Sequence, residues 1–465
     1  MTPKYLYLNT IGCQMNVYDT EQMAAGLSRI GYVQTFAPES ADLVIVNTCS
    51  VRAKAEQKAF SFLGRMAKLK RRKPHLIVGV AGCVAQQEGE KIIARMPYVD
   101  LVLGTGAIGR LPRLVTQIES RRRQIVDVRA ADVKETFAHV SRSQREDSQA
   151  SRFVTIMRGC DNYCAYCVVP YVRGPERSRQ PQSILREIRA LVDAGAREVT
   201  LLGQNVNSYG KKEGWGTFTD LLAGVNEIEG LHRIRFTTSH PKDLSPELIQ
   251  GFAALPKLCP HIHLPVQSGA NAVLKRMKRR YTREVYLDKV HQLRDTCPEI
   301  AITSDMIVGF PGETDADFEQ TLDLVKTVGF DGLFAFMYSD RPHAPARRYD
   351  RKISEAEKSD RLQALLDLQS HYTLKRNQTM VGSRQQVLIE GVSKRHTDDS
   401  LKPDAPRQWT GRTRTNKIVN FHQLNDSGSA DEISIGQLVD VDIERALAHS
   451  LWGARSGDSS GTRGS

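Results

Sequence analysis

The densest run of reactive side chains in the chain is Arg158-Gly159-Cys160-Asp161-Asn162-Tyr163-Cys164-Ala165-Tyr166-Cys167, which places three thiols in the spacing C-x3-C-x2-C. Three soft thiolates on one tight loop suit an iron–sulfur cluster or zinc, not magnesium or calcium. A structural zinc site would be closed by a fourth protein ligand, and no histidine lies nearby in the sequence. A cubane held by three thiolates keeps one iron open, and an open iron can bind a substrate. The alternative is three ordinary buried or free cysteines. An alternating apolar run, Phe153 to Met157, precedes the loop and Val168-Val169-Pro170 closes it, so the thiols follow a strand as a site would.

A second set is dispersed. Cys13 stands in Gly12-Cys13-Gln14-Met15-Asn16, Cys49 in Asn47-Thr48-Cys49-Ser50-Val51-Arg52, and Cys83 in Gly82-Cys83-Val84-Ala85-Gln86. Each follows an apolar run with strand character: Lys4 to Asn9, Asp42 to Asn47 and His75 to Val80, with a shorter run at Leu101 to Leu103. Helical patterns fall between them at about 19–30, 51–69, 86–95 and 108–120. Buried strands alternating with helices predict a parallel sheet with helices on both faces. All C-terminal strand ends of such a sheet open on one edge, where these folds bind ligands. The three thiols are therefore expected on one rim, with Gly12 and Gly82 allowing close backbone approach. Zinc, or three unrelated core thiols, are the alternatives to a second cluster.

From Phe153 the alternation resumes. Strands are predicted at 153–158, 198–202, 233–237, 261–265, 301–308 and 333–338, with helices at about 183–194, 218–228, 246–254, 281–296 and 315–328. Six such units predict a partly closed (β/α)6 barrel with its functional residues at the C-terminal strand ends. The C-x3-C-x2-C loop lies there, and so do Gly203-Gln204-Asn205-Val206-Asn207, Thr238-Ser239-His240, Gln267-Ser268-Gly269 and Gly309-Phe310-Pro311-Gly312. His240 is either a substrate contact or a structural loop histidine. A long helix at about 355–378 leaves the barrel, and alternating runs at 384–391, 417–421 and 438–443 predict a small antiparallel β-barrel. Its segment Trp409 to Lys417 mixes cations, hydroxyls and an aromatic, which suits phosphate contact and base stacking. The competing reading is a basic hairpin packed on the larger barrel. The overall class is α/β, divided at 3–122, 146–378 and 379–446, with a charged linker at 121–151 and a Gly/Ser/Arg-rich tail at 453–465 expected to be disordered.

The stretch Gly159 to Arg179, GCDNYCAYCVVPYVRGPERSR, resembles the methylthiotransferase branch of the radical S-adenosylmethionine enzymes, and GCQMN, NTCSVR and GCVAQ resemble that branch's N-terminal domain. The last segment resembles a TRAM domain, and the resemblance spans residues 3 to 445. It implies two 4Fe-4S clusters, a radical-generating one on Cys160, Cys164 and Cys167 and an auxiliary one on Cys13, Cys49 and Cys83. It implies S-adenosylmethionine as radical source and methyl donor, with Gly203, Gln204, Ser239 and Gln267 as cofactor contacts. Asn162-Tyr163 and Gln204 to Asn207 are most like the members that methylthiolate carbon 2 of N6-dimethylallyladenosine beside the tRNA anticodon. Methylthiolation of threonylcarbamoyladenosine or of a ribosomal-protein aspartate, and a redox-sensing iron–sulfur protein without enzymatic activity, are the other readings. The implied partners are a tRNA anticodon stem-loop and a low-potential electron donor, acting on a monomer. The family's Arg-Pro-Gly-Thr after the sixth strand is Arg341-Pro342-His343-Ala344 here, so no contact is assigned to that loop.

Composition fits this reading. Lys and Arg number 65 against 53 Asp and Glu, a net charge of +12, enough to attract a polyanion without saying which. Eight cysteines in 465 residues are too sparse for a disulfide scaffold, and their clustering favours metal ligation in a reducing compartment. Cys259 and Cys297 lie outside both sets. The N-terminus lacks the apolar core of a signal peptide and no run reaches membrane-spanning length, so the expectation is a soluble cytoplasmic protein without membrane contact. The runs Arg121-Arg122-Arg123 and Lys275 to Arg280 are solvated faces by default, the second being the better candidate for phosphate contact.

Overall fold

The computed structural model describes residues 3–50, 53–130, 150–393, 408–422 and 433–456. The N-terminal unit is a six-stranded, all-parallel sheet of β1 (Lys4–Ile11), β2 (Tyr32–Gln34), β3 (Leu43–Thr48), β4 (Ile77–Gly82), β5 (Leu101–Leu103) and β6 (Ile125–Asp127), in the order β2-β1-β3-β4-β5-β6. Every residue of β3 and β4 is buried, as strands covered on both faces must be. The helices are α1 (Gln14–Ser28), α2 (Ala53–Arg72), α3 (Cys83–Glu88), α4 (Glu90–Arg95) and α5 (Leu111–Arg121). The edge strands β2 and β6 escape sequence detection because they are three residues long and half-exposed. The single helix expected at 86–95 is two, broken where Gly89 takes a positive φ of 51°.

The central unit opens with β7 (Ser151–Thr155). A short antiparallel pair, β8 (Met157–Arg158) with β9 (Arg177–Ser178), then closes the base of the cysteine loop, which carries the one-turn helix α6 (Val169–Val172). The remaining barrel strands are β10 (Glu198–Leu202), β11 (Arg233–Phe236), β12 (His261–His263), β13 (Ala301–Val308) and β14 (Gly332–Met337). They form two parallel three-stranded sheets, β7-β10-β11 and β12-β13-β14, joined by a parallel bridge between Ile234 and Leu258. The helices α7 (Pro181–Asp193), α8 (Phe218–Asn226), α9 (Pro246–Ala254), α10 (Asn271–Arg276), α11 (Arg283–Thr296) and α12 (Asp315–Val328) cover the outside. Their buried faces join the strands in one continuous core that includes Ile184, Leu222, Phe236, Tyr286, Met306 and Phe330. The expected six-unit partial barrel is the architecture found.

Helix α13 (Glu355–Gln378) leads to a closed five-stranded barrel, β15 (Arg384–Val392), β16 (Gln408–Arg412), β17 (Ile418–His422), β18 (Leu438–Ala446) and β19 (Leu451–Arg455). Its pairs are antiparallel except β17 with β19, which is parallel. The closing strand corrects two boundaries: the domain does not end at 446, and 453–455 belong to β19, not to the tail. Gly453 made that stretch look like tail, yet a Cβ there would lie 2.3 Å from the Asp442 carbonyl oxygen, so glycine serves close strand packing. Residues 457–465 and most of the linker lie outside the described residues.

The segment Trp409 to Lys417 is also corrected. Trp409 is buried in the small barrel's core. Arg412 pairs with Glu390, Arg414 donates to the Pro256 and Leu258 carbonyls, and Lys417 pairs with Asp331. In return Arg233 and Arg235, both buried on β11, donate to the carbonyls of Arg412, Gln386, Arg414 and Thr413. The basic hairpin is the joint that docks the small barrel near the N-terminal ends of the large barrel's strands. Composition displays the cations but not which face of the hairpin they cover.

Candidate active site: two thiol sets across one interface

The local set is built by backbone constraint. Gly159 has φ +77°, and a Cβ there would sit 2.0 Å from the Pro175 carbonyl oxygen. Its amide donates to Gln204 Oε1 at 2.5 Å, which ties the loop to the end of β10. The Cys160 amide donates to the Gly174 carbonyl, the Ala165 amide to Met277, and the Ala346 amide to the Ala165 carbonyl. Three loops of the barrel mouth thus hold the three thiols. Arg279, fully turned inward from the otherwise exposed run Lys275, Lys278 and Arg280, donates to Cys164 Sγ at 3.4 Å, Tyr166 Oη at 3.2 Å and the Pro265 carbonyl at 2.7 Å. Burial pushes the Cys160 thiol up to about 11 and Cys167 up to about 12. Both thiols therefore need a cation or metal as partner to ionise at neutral pH.

The dispersed set is built by topology. Cys13 ends the turn after β1 and precedes α1, the Cys49 amide donates to the Ile11 carbonyl, and Cys83 is the first residue of α3. Beneath them two buried amides interlock: Asn16 Nδ2 donates to Asn47 Oδ1 at 3.0 Å, and Asn47 Nδ2 to the Asn16 carbonyl at 2.8 Å and Thr20 Oγ1 at 3.0 Å. A Cβ on Gly12 would lie 2.3 Å from Asn16 Oδ1, and one on Gly82, at φ +94°, 2.4 Å from Asn47 Oδ1. The glycines beside Cys13 and Cys83 exist to admit this amide pair. A hydrogen bond with Cys49 draws the Cys13 thiol down to about 6, with Arg173 and nearby amides acting in the same sense against burial. Burial raises the Cys83 thiol.

The two sets meet across the domain interface. Cys83 packs with Val172, Ala344 and Val168, the residue after Cys167. Cys13 and Met15 pack near Leu202 and Phe153 of the large barrel. Asp19, buried on α1, accepts from Arg158 at 2.9 Å and from Arg173 at 3.0 Å, so one carboxylate grips both ends of the cysteine loop. Arg158 also donates to the Thr105 carbonyl, and Thr105 Oγ1 to the Val172 carbonyl at 2.6 Å.

Both donor sets fit clusters. Each is three thiols, with no fourth protein ligand beside them among the described residues. Among the described residues no three His, Cys, Asp or Glu side chains are placed to hold a single ion, whereas a cubane takes each thiolate on a different iron. Buried hydroxyls of Thr48 and Ser50, beside Cys49, have no hydrogen-bond partner. At the mouth of the large barrel the same is true of Ser239 Oγ, Asn205 Oδ1 and both amide atoms of Asn207, a set of unmet polar atoms suited to the amino acid and ribose groups of S-adenosylmethionine.

The expected cofactor contacts divide. Ser239 offers a free hydroxyl next to Thr238, whose φ of +71° is an outlier for a β-branched residue. Gln267 is buried at φ +77° with its main chain bridged to β13. Gln204 Oε1 accepts from the Gly159 amide, and Gly203 packs on Met157, where a Cβ would lie 2.4 Å from Cγ. These two position the cysteine loop. His240 is held as a structural residue: Nδ1 accepts from the Lys242 amide at 3.2 Å, and burial keeps the ring neutral. His343 has φ +69° and packs at a tilt against Tyr171 with centroids 5.9 Å apart, so this chain keeps a left-handed residue where the family pattern has glycine. The sequence shows Arg158 beside the thiols and Asn207 in the loop after the second barrel strand, but does not single out Asp19, Arg173 or Glu176. Asp19 is the one acid among the buried residues of α1, whose sequence has little amphipathic pattern to mark it.

Comparisons with known proteins agree with this geometry. Residues 5–104 match the uncharacterized protein family UPF0004, 154–325 the radical SAM superfamily and 378–454 the TRAM domain. A tRNA-2-methylthio-N(6)-dimethylallyladenosine synthase of Desulfosudis oleivorans is 55% identical over 98% of this chain and 97% of its own. Proteins of the same name from Geobacter sulfurreducens, at 50% over 97% of each chain, and Syntrophus aciditrophicus, at 49% over 97% of this chain and 94% of its own, are similar too. Among solved structures, the radical S-adenosylmethionine methyltransferase TsrM from Kitasatospora setae shares the fold, with a TM-score of 0.55 at 14% identity over 74% of this chain and 75% of its own. No helix among the described residues is long and apolar enough to cross a membrane.

Proposed function

The chain belongs to the tRNA-2-methylthio-N6-dimethylallyladenosine synthase family, and from that membership we propose that it transfers a methylthio group to carbon 2 of N6-dimethylallyladenosine beside the anticodon of tRNA. The observation that carries this reading is the adjacency of two three-thiol sets across one buried interface. A cluster on Cys160, Cys164 and Cys167 would supply the low-potential electron that cleaves S-adenosylmethionine, and one on Cys13, Cys49 and Cys83 would hold the sulfur to be transferred.

The chain's own residues supply position and shelter. Gln204 and the β8–β9 pair fix the cysteine loop over the barrel mouth. Ser239 and Asn207 offer the unmet donors and acceptors that a bound S-adenosylmethionine would satisfy. Val168, Val172 and Ala344 give Cys83 an apolar, buried surround at the domain interface. The Asp19 bridge sets the separation of the two sets. Lys275, Lys278 and Arg280 stand exposed on the loop bonded to Ala165 and would meet the phosphates of an anticodon loop whose target base is splayed into the mouth. A low-potential electron donor and a cytoplasmic setting, where tRNA and reductant are found, complete the proposal.

The test is an anaerobic reaction of the cluster-reconstituted chain with dithionite, S-adenosylmethionine and tRNA carrying N6-dimethylallyladenosine, followed by mass spectrometry of the digested nucleosides. The methylthio product is expected from the parent chain and not from Cys49→Ala. Release of 5′-deoxyadenosine with unmodified tRNA would overturn the substrate, and a ribosomal protein would then be tried. Neither product with both clusters loaded would overturn the enzyme.

A further inference from the structure

The bridge on Asp19 does not balance. Two guanidiniums, Arg158 and Arg173, share one carboxylate, with side chains 12%, 4% and 1% exposed respectively. The neighbouring pair Arg179–Glu187 is neutral by itself. One positive charge is thus left in the interface without a protein carboxylate, and the thiol set, with Cys83 and Cys13 within electrostatic reach of Arg173, is where its counter-charge must come from. The unused donors show where the anion belongs. Arg173 spends Nη2 on Asp19, while its buried Nη1 has no oxygen or nitrogen partner and the side chain is within hydrogen-bonding reach of the Cys83 thiol. The same side chain lies against the Cys83 thiol and within electrostatic reach of Cys13.

We propose that Arg173 is the anion-binding residue of the N-terminal thiol set, its free Nη1 donating to an anionic sulfur ligand carried beside Cys13 and Cys83. This rests on the reading of that set as a cluster site. The geometry makes Arg173 a link between the halves of the molecule: it belongs to the radical-enzyme loop, six residues after Cys167, yet serves the other domain's sulfur. A guanidinium suits the task because one arm can be fixed on Asp19 while the other remains a directed donor; a lysine offers a single point charge. Arg173 acts through the ligand it holds and is a positioning residue.

The test uses the full chain carrying Cys160→Ala, Cys164→Ala and Cys167→Ala, so that only the N-terminal cluster reports. After anaerobic reconstitution, methanethiolate is titrated in and the reduced cluster followed by electron paramagnetic resonance. Its midpoint potential is measured without methanethiolate. Adding Arg173→Gln should weaken methanethiolate binding about tenfold or more and lower the midpoint potential, because a nearby cation is lost. Arg173→Lys should retain most of the potential yet still bind methanethiolate more weakly. Unchanged affinity in Arg173→Gln at equal iron content would overturn the inference. If Arg173→Gln fails to load iron, Arg173→Lys decides: parental affinity overturns the inference, and reduced affinity supports it. A parent that loads iron but binds no methanethiolate also overturns it. A parent that loads no iron contradicts the cluster reading itself, a separate failure.

Discussion

The two thiol sets show two ways to build one kind of site. Cys160, Cys164 and Cys167 are neighbours in sequence, and the barrel's task is to pin their loop: at Gly159 by Gln204, at Cys160 by Gly174 and at Ala165 by Met277. Cys13, Cys49 and Cys83 come from three βα units and meet because the sheet is parallel, with the Asn16–Asn47 amide pair as their floor. The local set depends on backbone approach at one point. The dispersed set depends on side-chain hydrogen bonds between helix α1 and strand β3.

The comparison breaks most sharply at the glycines. Gly159→Ala would press a Cβ into the Pro175 carbonyl at a positive φ, and Gly82→Ala would press one into Asn47 and the Thr48 carbonyl. Gly159→Ala is expected to empty the local set and abolish S-adenosylmethionine cleavage while the N-terminal set still loads iron. Gly82→Ala is expected to do the reverse, keeping cleavage and losing methylthiolation. Iron analysis with a 5′-deoxyadenosine assay separates the two. Next in size is Asn47→Ala, which leaves the Asn16 amide and carbonyl and Thr20 short of partners. A loss of about 2–3 kcal/mol is expected, read as a lower unfolding midpoint in denaturant and poorer iron loading of the N-terminal set alone.

A pH effect belongs to the local set. Glu176, buried beside that loop and accepting from Ser208 Oγ at 2.8 Å, is raised from 4.5 to about 7, by burial first and then by Asp161, Asp243 and Glu213. The folded state holds this proton more tightly than the unfolded chain. The stability it lends is therefore full below pH 4.5 and lost as pH rises towards 7 and beyond, at about 1.4 kcal/mol for each tenfold difference in proton affinity between the two states. Glu176→Gln should flatten the stability profile over that window and gain relative to the parent near pH 8, as denaturant titrations at several pH values would show. The smallest effect is expected at His343→Gly. Relief of left-handed strain, about 1–2 kcal/mol, is offset by glycine's entropy, about 0.5–1 kcal/mol, and by loss of the Tyr171 contact. Thermal unfolding should shift by about 1 kcal/mol or less with both sets loaded.

The contrast also explains what the sequence could reveal. The local set is legible from spacing alone. The dispersed set is legible because each thiol follows a buried strand, and parallel topology does the rest. Side-chain commitments are not legible: nothing in the sequence shows that Gln204 Oε1 holds the Gly159 amide, and the cations Arg414 and Lys417 have the composition of a phosphate site but join two domains. Arg173 is hidden for the same reason, since its partner Asp19 lies 154 positions away in another domain. The edge strands β2 and β6, and the barrel-closing strand β19, are too short, or too glycine-bearing, for periodicity to register.

The central claim is that the two sets are separate sites on one chain. The most direct measurement is iron and sulfide content, with Mössbauer spectra, of the anaerobically reconstituted parent, Cys49→Ala and Cys164→Ala. The account predicts two clusters in the parent and one in each variant, with S-adenosylmethionine perturbing the spectrum of Cys49→Ala and not that of Cys164→Ala. A parent holding one cluster, or one substitution that empties both sets in a folded chain, would contradict it.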